Sequence, residues 1–402
     1  MEISLYFHIP FCRRRCGYCD FNTFAGAENR IPAYVKSLCQ EVESVLSGAP
    51  EKPIVKTIYF GGGTPSLLDT AQYRQIFDSV LRFAQLKGDA EISLEANPET
   101  VTAEKIRGYR EVGFNRISIG MQSASHLDLR TLDREHRNES LLAAVEWCRK
   151  AGFEHTNLDL MFGIPGQSME SWMRSLQLAL ELDVDHFSLY SLILEEGTRL
   201  KRWSDRGLLP EQDEDLAADM YEAAMVELMN AGYGQYEISN WARGESARCR
   251  HNLQYWRYLP YLGFGAGAHG FWSNTRVENK NTIEAYIAKI KRHSALTFPA
   301  GPACLEVNHL NRWEMMQEHL MVSLRLTDEG ILLSDFSNRY GVSVQEVFTA
   351  QLKRLLHEGL IEYGDSGNTL RLTKKGCLFG NRVFSAFIAN KVPVGYAFLE
   401  NQ

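Results

Sequence analysis

Through its first 230 residues the chain alternates short apolar runs with longer stretches whose apolar positions recur every three to four residues. ISLYFHI, TIYFGG, EISLEA, RISIGM, HTNLDLMFGI and HFSLYSL read as strands. PAYVKSLCQEVESVL, AQYRQIFDSVLRFAQL, AEKIRGYREV, a stretch from about Ser140 to Ala151, ESWMRSLQLALEL and a stretch from about Glu211 to Ala231 read as helices. Six strand–helix units predict an α/β fold with a parallel sheet buried by helices. Polar or glycine-bearing turns follow nearly every strand: HIPFC, GGGTPS, EANPE, GMQS, GIPGQ and SLILEEGT. A doubly wound sheet concentrates its fingerprint after one strand, whereas a barrel carries functional residues at the C-terminal ends of many. With six units rather than eight, residues 1–232 are expected to form an incomplete, TIM-like (β/α)6 barrel, open on one side.

After Gly232 the pattern breaks. GQYEISNWARGESARCRHNLQYWRYLPYLGFGAGAHGF is rich in glycine and aromatics, and residues 233–300 are expected to extend the barrel and cover its mouth. Residues 301–402 read as a smaller helical domain: WEMMQEHLMVSLRL, LLSDFSNRYG and VQEVFTAQLKRLLHEGL, then IEYGDSGNTLRLTKKG as a hairpin turning at Asp365 to Asn368. Helices followed by a two-stranded wing suggest a winged-helix-like module.

Composition narrows the function classes. The chain has 402 residues, 45% hydrophobic and 23% charged, with a net charge of −7. It lacks the basic surplus that neutralises phosphates, so nucleic acid is not an expected partner. No apolar run approaches the roughly 20 residues that span a bilayer, so no integral membrane segment is expected. MEISLYFHIP has neither a basic n-region nor an apolar h-region, and the expected location is the cytoplasm. Of eight cysteines, Cys39, Cys148, Cys249, Cys304 and Cys377 are scattered singly, as small buried hydrophobes are in a reducing compartment.

The other three carry the chemistry. FHIPFCRRRCGYCDF places Cys12, Cys16 and Cys19 at C-x3-C-x2-C spacing directly after the first strand. Thiolates ligate iron–sulfur clusters and zinc. Three from one loop leave an iron–sulfur cube with one iron free to bind a small molecule. A zinc site completed by a distant histidine is the alternative. The GGGTPS turn, Gly61 to Ser66, permits close approach of backbone to a ligand.

With Tyr18 before the last cysteine, this loop resembles the signature of radical S-adenosylmethionine (SAM) enzymes. The likeness extends over most of the chain to the subgroup of oxygen-independent coproporphyrinogen III oxidase and its relatives. It implies a 4Fe-4S cluster on Cys12, Cys16 and Cys19, with the amino and carboxylate groups of SAM on the fourth iron. It also implies cofactor contacts from Tyr6, Tyr18, Gly62, Gly63, Thr64, Glu95, Gln122, Arg134, Asp159 and Ile193. Among these, Asp159 suits ribose hydroxyls and Arg134 the cofactor carboxylate, while Ile193 packs near the adenine.

Two departures separate the chain from the oxidase. Phe21 stands where the oxidase has a further cysteine, and the oxidase's long N-terminal arm is missing ahead of the first strand. RHNLQYW contains H-N-x-x-Y-W, which resembles the motif of the heme-chaperone branch of the subgroup. His251, Asn252, Tyr255 and Trp256 are therefore heme candidates, with His8 and His269 as rival iron ligands. The resemblance implies a chaperone that binds the cluster, SAM and heme and passes heme to acceptor proteins, compatible with a homo-oligomer. A radical oxidase acting on a porphyrin propionate is the alternative.

Overall fold

The computed structural model describes residues 1–134, 136–292, 297–364, 366–388, 392–393, 395–396 and 399. Six parallel strands form its centre: β1 (Glu2–Ile9), β2 (Ile54–Gly62), β3 (Gln85–Ala96), β4 (Arg116–Gln122), β5 (His155–Phe162) and β6 (His186–Ser191). The helices that cross between them include α1 (Ile31–Ser47), α2 (Thr70–Phe83), α3 (Ala103–Val112), α4 (Asn138–Ala151) and α5 (Met169–Glu181); α6 (Glu214–Asn230) follows β6. The strands pair in chain order, β1 to β6, all in parallel.

Strand alternation explains both the core and the cavity. Ile3, Leu5, Phe7 and Ile9 of β1, Ile58 and Phe60 of β2, Ile117 and Ile119 of β4, and Phe187 and Leu189 of β6 are buried in one continuous core. They meet apolar faces such as Tyr34, Val35, Leu38, Val42 and Val45 of α1. The intervening positions are polar: Ser4, Tyr6 and His8; Thr57 and Tyr59; Glu91, Ser93 and Glu95; Arg116 and Ser118; Asn157 and Asp159; His186 and Ser188. Because successive side chains point to opposite faces, these residues line the concave side of the sheet. Helix ends are set locally. Asp69 and Gln72 form a capping box on α2, and Gly113, at φ 120°, ends α3.

The segment after α6 lengthens this sheet at both edges. β7 (Gly234–Glu237) and β8 (Asn240–Ala242) add antiparallel strands beyond β6. β9 (Tyr261–Phe264) then adds a parallel strand beside β1, followed by β10 (His269–Trp272), β11 (Thr275–Asn279) and β12 (Cys304–His309). The sheet of twelve strands runs β12-β11-β10-β9-β1-β2-β3-β4-β5-β6-β8-β7. The incomplete barrel thus gains a seventh parallel strand from residues well past the sixth unit. β12 lies beyond residue 300 yet belongs to this sheet.

The HNxxYW segment does not cover the mouth as expected. It is a short helix, α7 (Arg250–Trp256), seated at the strand-start end of the barrel. Its first backbone amides, of Arg250 and His251, donate to the Glu91 carboxylate at 3.0 and 2.9 Å. Arg116 ion-pairs with the same carboxylate at 2.9 Å and also donates to Ala247 O at 2.6 Å. The buried carboxylate draws the helix N-terminus downward, because it satisfies two orphan N–H groups at once.

The C-terminal region has its own core, from Trp313 through Phe336, Phe348, Leu355 and Leu370 to Phe387. Strands Ile361–Tyr363 and Thr369–Leu372 form the expected wing, and Ile331–Leu332 adds a third strand. Residue 365 of the wing's turn lies outside the described residues. Arg325 locks this region to the barrel, ion-pairing with Glu237 at 3.3 Å and lying 4.3 Å from the Trp256 ring centre. No helix among the described residues is long and apolar enough to cross a membrane.

Candidate functional site

One cavity of about 410 Å³ opens at the C-terminal ends of the parallel strands. It gathers Cys12, Cys16, Tyr18 and Cys19 from the loop after β1, Gly62, Gly63 and Thr64 from the turn after β2, Glu95 from β3, Gln122 from β4, Arg134, Asp159 from β5 and Ile193 after β6. Residues expected from six successive strand units thus share one enclosure. Tyr6 is not among its walls; its hydroxyl donates to His8 Nδ1 at 3.0 Å, and His8 Nε2 donates to Asn22 O at 2.8 Å. Tyr6 and His8 therefore brace the loop from behind.

The three cysteines are free thiols. Thr64 Oγ1 donates to Cys12 Sγ at 3.6 Å, and Arg134 Nη1 donates to Cys16 Sγ at 3.6 Å. Burial pushes the Cys12 thiol up to about 11 and raises that of Cys19, so metal ligation must displace protons. Among the described residues, no three His, Cys, Asp or Glu side chains converge closely enough to hold one metal ion. Three thiols from one loop, two of them receiving donors from Thr64 and Arg134, suit a cluster that spreads its anchoring sulfurs over separate irons. The donor set fits the cluster.

The turn Gly61–Gly63 is forced on the sequence. Gly62 has φ 111°, and a Cβ there would lie 2.4 Å from the His8 ring. A Cβ on Gly63 would lie 2.6 Å from Phe11 O. Only glycine lets this turn pack against the cysteine loop. Gln122 holds φ 62° where β4 ends, a conformation that side chains rarely adopt and that functional sites often retain.

Polar walls surround the thiols. Arg134 Nη2 donates to Asn97 Oδ1 and to Gly120 O, both at 3.0 Å, while its buried Nε has no partner. Ser93 Oγ and Arg116 Nη1 are also buried and unpartnered, and both residues line the cavity. Buried donors rarely go unpaired without a water, an ion or a ligand to receive them. Asp159 accepts from Ser118 Oγ and Asn157 Nδ2, each at 2.8 Å. Glu95 accepts from the Tyr59 hydroxyl at 2.8 Å and from Gly62 N at 3.2 Å. Burial, with Asp159 nearby, lifts the Glu95 carboxyl to about 7, and burial raises Asp159 too. Met161, Leu192 and Ile193 make the opposite wall apolar. A molecule with one charged polar end and one flat apolar end matches this division.

Of the heme candidates, only Asn252 reaches the cavity, as part of its floor. His251 is buried, and both ring nitrogens are engaged. The Thr57 hydroxyl donates to Ser4 at 2.7 Å, so His251 Nδ1 donates to Thr57 at 2.7 Å and Nε2 accepts from the Tyr255 hydroxyl at 2.9 Å. Burial pushes this imidazole down to about 4. His251, Tyr255 and Trp256 therefore build the barrel's plug, and His251 offers no open nitrogen to iron. Asn97, Tyr59, Ser118, Asn157 and Tyr190 were missed as wall residues; their polar register, two residues apart on otherwise apolar strands, is the signal that marks them.

Comparison with known proteins agrees with this geometry. A profile of the Radical SAM superfamily matches residues 6–179, and one of the HemN C-terminal domain matches residues 310–379. Heme chaperone HemW of Bacillus subtilis (strain 168) is 36% identical over 96% of this chain and 99% of its own length. The chain belongs to the HemW family. A further HemW relative, from Escherichia coli (strain K12), is 42% identical over 67% of this chain and 70% of its own. The solved coproporphyrinogen III oxidase (HemN) of Escherichia coli superposes with a TM-score of 0.83 at 24% identity, over 96% of this chain and 90% of that one. That likeness establishes the fold shared by the HemW family and the oxidase. Membership of the radical SAM superfamily implies a 4Fe-4S cluster and SAM.

Proposed function

We propose that the protein is a heme chaperone of the cytoplasm. It carries a 4Fe-4S cluster on Cys12, Cys16 and Cys19, holds SAM in the same cavity, and takes up heme for delivery to acceptor proteins. The observation that carries this reading is the end-to-end likeness to proteins named heme chaperone, joined to a loop that bears Phe21 after its third thiol.

The walls divide the binding task. Arg134, with its unpartnered Nε, receives the carboxylate of SAM. Asp159, steadied by Ser118 and Asn157, accepts from the ribose hydroxyls. Glu95 would meet the polar end, and Ile193 and Leu192, which line the same cavity, would cover the adenine. When bound, the cluster would supply one-electron chemistry at this site. Thr64 and Arg134 place donors on two of the sulfurs, which steadies them as thiolates and tunes the potential of the site.

The oxidase reading rests on the shared fold and the same thiol trio. Anaerobically reconstituted protein separates the two. Saturable heme uptake without protoporphyrinogen formation is the expected result; coproporphyrinogen turnover at enzyme-like rates refutes the chaperone reading.

A further inference from the structure

A second concavity, of about 360 Å³, lies on the other side of the cysteine loop. Arg15, Asp20, Phe21 and Phe24 form one wall, and His269 and Glu278, of β10 and β11, form the facing one. Arg15, Asp20, Phe21 and Thr23 line both this concavity and the cluster cavity, so a single loop separates them. We infer that this concavity is the heme seat, with His269 as the ligand to iron. The inference rests on the heme-carrier reading and deepens it.

Iron needs an imidazole nitrogen with a free lone pair. His8 and His251 spend both nitrogens on hydrogen bonds. His186, which lines the cluster cavity, does the same, with Asn157 at 2.6 Å and Tyr236 at 2.7 Å. His269 is exposed, and no hydrogen bond engages its ring among the described residues. On the same concavity, Phe21 is 62% exposed. A large apolar ring held in water beside an open imidazole is a ready surface for a flat macrocycle. Arg15 donates through Nε to Cys19 O and through one terminal nitrogen to Phe21 O, both at 3.2 Å; its other N–H groups remain for a propionate. Asp20 and Glu278 also line the concavity and disfavour a propionate beside them.

The two walls are fixed to each other. Asn22 Nδ2 donates to Ala266 O at 3.0 Å and to Asn281 O at 2.7 Å. A Cβ on Gly267 would come within 2.4 Å of that nitrogen, so the glycine is needed for the contact.

The test titrates hemin into cluster-loaded, oxygen-protected full-length protein and follows the Soret band. Wild type is expected to show saturable binding with an imidazole-type spectrum. His269→Ala is expected to weaken affinity by about tenfold or more and to lose that spectrum, which added imidazole restores, while iron–sulfur content stays constant. Phe21→Ala is expected to weaken heme binding about threefold to tenfold with the ligand spectrum kept. If wild type binds heme and His269→Ala binds it with the same spectrum and affinity, this site is refuted while the carrier reading stands. If wild type takes up no heme, both fall.

Discussion

Replacing Glu91 by Ala strips the one carboxylate that holds the floor of the barrel. Glu91 and Arg116 are 4% and 3% exposed. Burial alone would raise the Glu91 carboxyl, but Arg116 and the amides of Arg250 and His251 hold it below the ordinary range. Without Glu91, the guanidinium keeps only the carbonyls of Ala247 and Arg248, and its Nη1 already lacks a partner. Breaking a buried pair from one side costs about 3–5 kcal/mol. Uncapping α7 adds about 1 kcal/mol. The sum of about 4–6 kcal/mol is a large share of the ~5–15 kcal/mol that a folded domain has. Urea unfolding followed by far-ultraviolet circular dichroism measures the loss. The double variant Glu91→Ala/Arg116→Met removes the stranded charge and should recover about 2–4 kcal/mol. The linkage has a definite sign. The lowered carboxyl stabilises the fold above its unfolded value and loses that contribution as pH falls through the folded one, so the gap between wild type and Glu91→Ala narrows in acid. A single variant within about 1 kcal/mol of wild type, or a double variant no better than the single, refutes this account of the floor.

Three further outcomes are expected. Glu41 is buried and accepts from the Tyr286 hydroxyl, Gly265 N and Asn279 Nδ2; burial raises it to about 7, so its stabilising contribution is full below about pH 4.5 and fades as pH rises through 7. Glu41→Gln should flatten stability between pH 5 and 8, as read by thermal melts, and an unchanged slope contradicts this. Gly62→Ala should cost at least about 2 kcal/mol through backbone strain and collision with His8, whereas Gly88→Ala, which meets no atom within 4 Å, should change stability by under about 0.5 kcal/mol; equal melting curves would be the contrary result. Arg134→Gln should weaken SAM binding to cluster-loaded protein by about tenfold to a hundredfold, measured by anaerobic calorimetry, and wild-type affinity would remove Arg134 from the site.

Much of the fold was legible because its signals are local. Strands such as RISIGM and helices such as AQYRQIFDSVLRFAQL carry their periods within a dozen residues, and the C-x3-C-x2-C loop states its chemistry by spacing alone. What escaped depends on partners far along the chain. The amides that begin α7 meet a carboxylate about 160 residues earlier, so HNxxYW reads as a mouth motif until Glu91 is seen to draw it to the floor. β9 pairs beside β1 across more than 250 residues, which no periodicity reveals. The wall residues Ser93, Ser118 and Asn157 were visible only as polar interruptions in apolar strands, a register that gains meaning once the sheet is known to curve around a cavity. His251 and His269 differ in burial, and sequence carries little information on depth for a single histidine.

Metal and sulfide analysis of anaerobically reconstituted protein decides what the thiol trio holds. About four iron and four sulfide ions per chain are expected, lost together in Cys16→Ser. Stoichiometric zinc in wild type, or iron retained undiminished in Cys16→Ser, would contradict the cluster assignment.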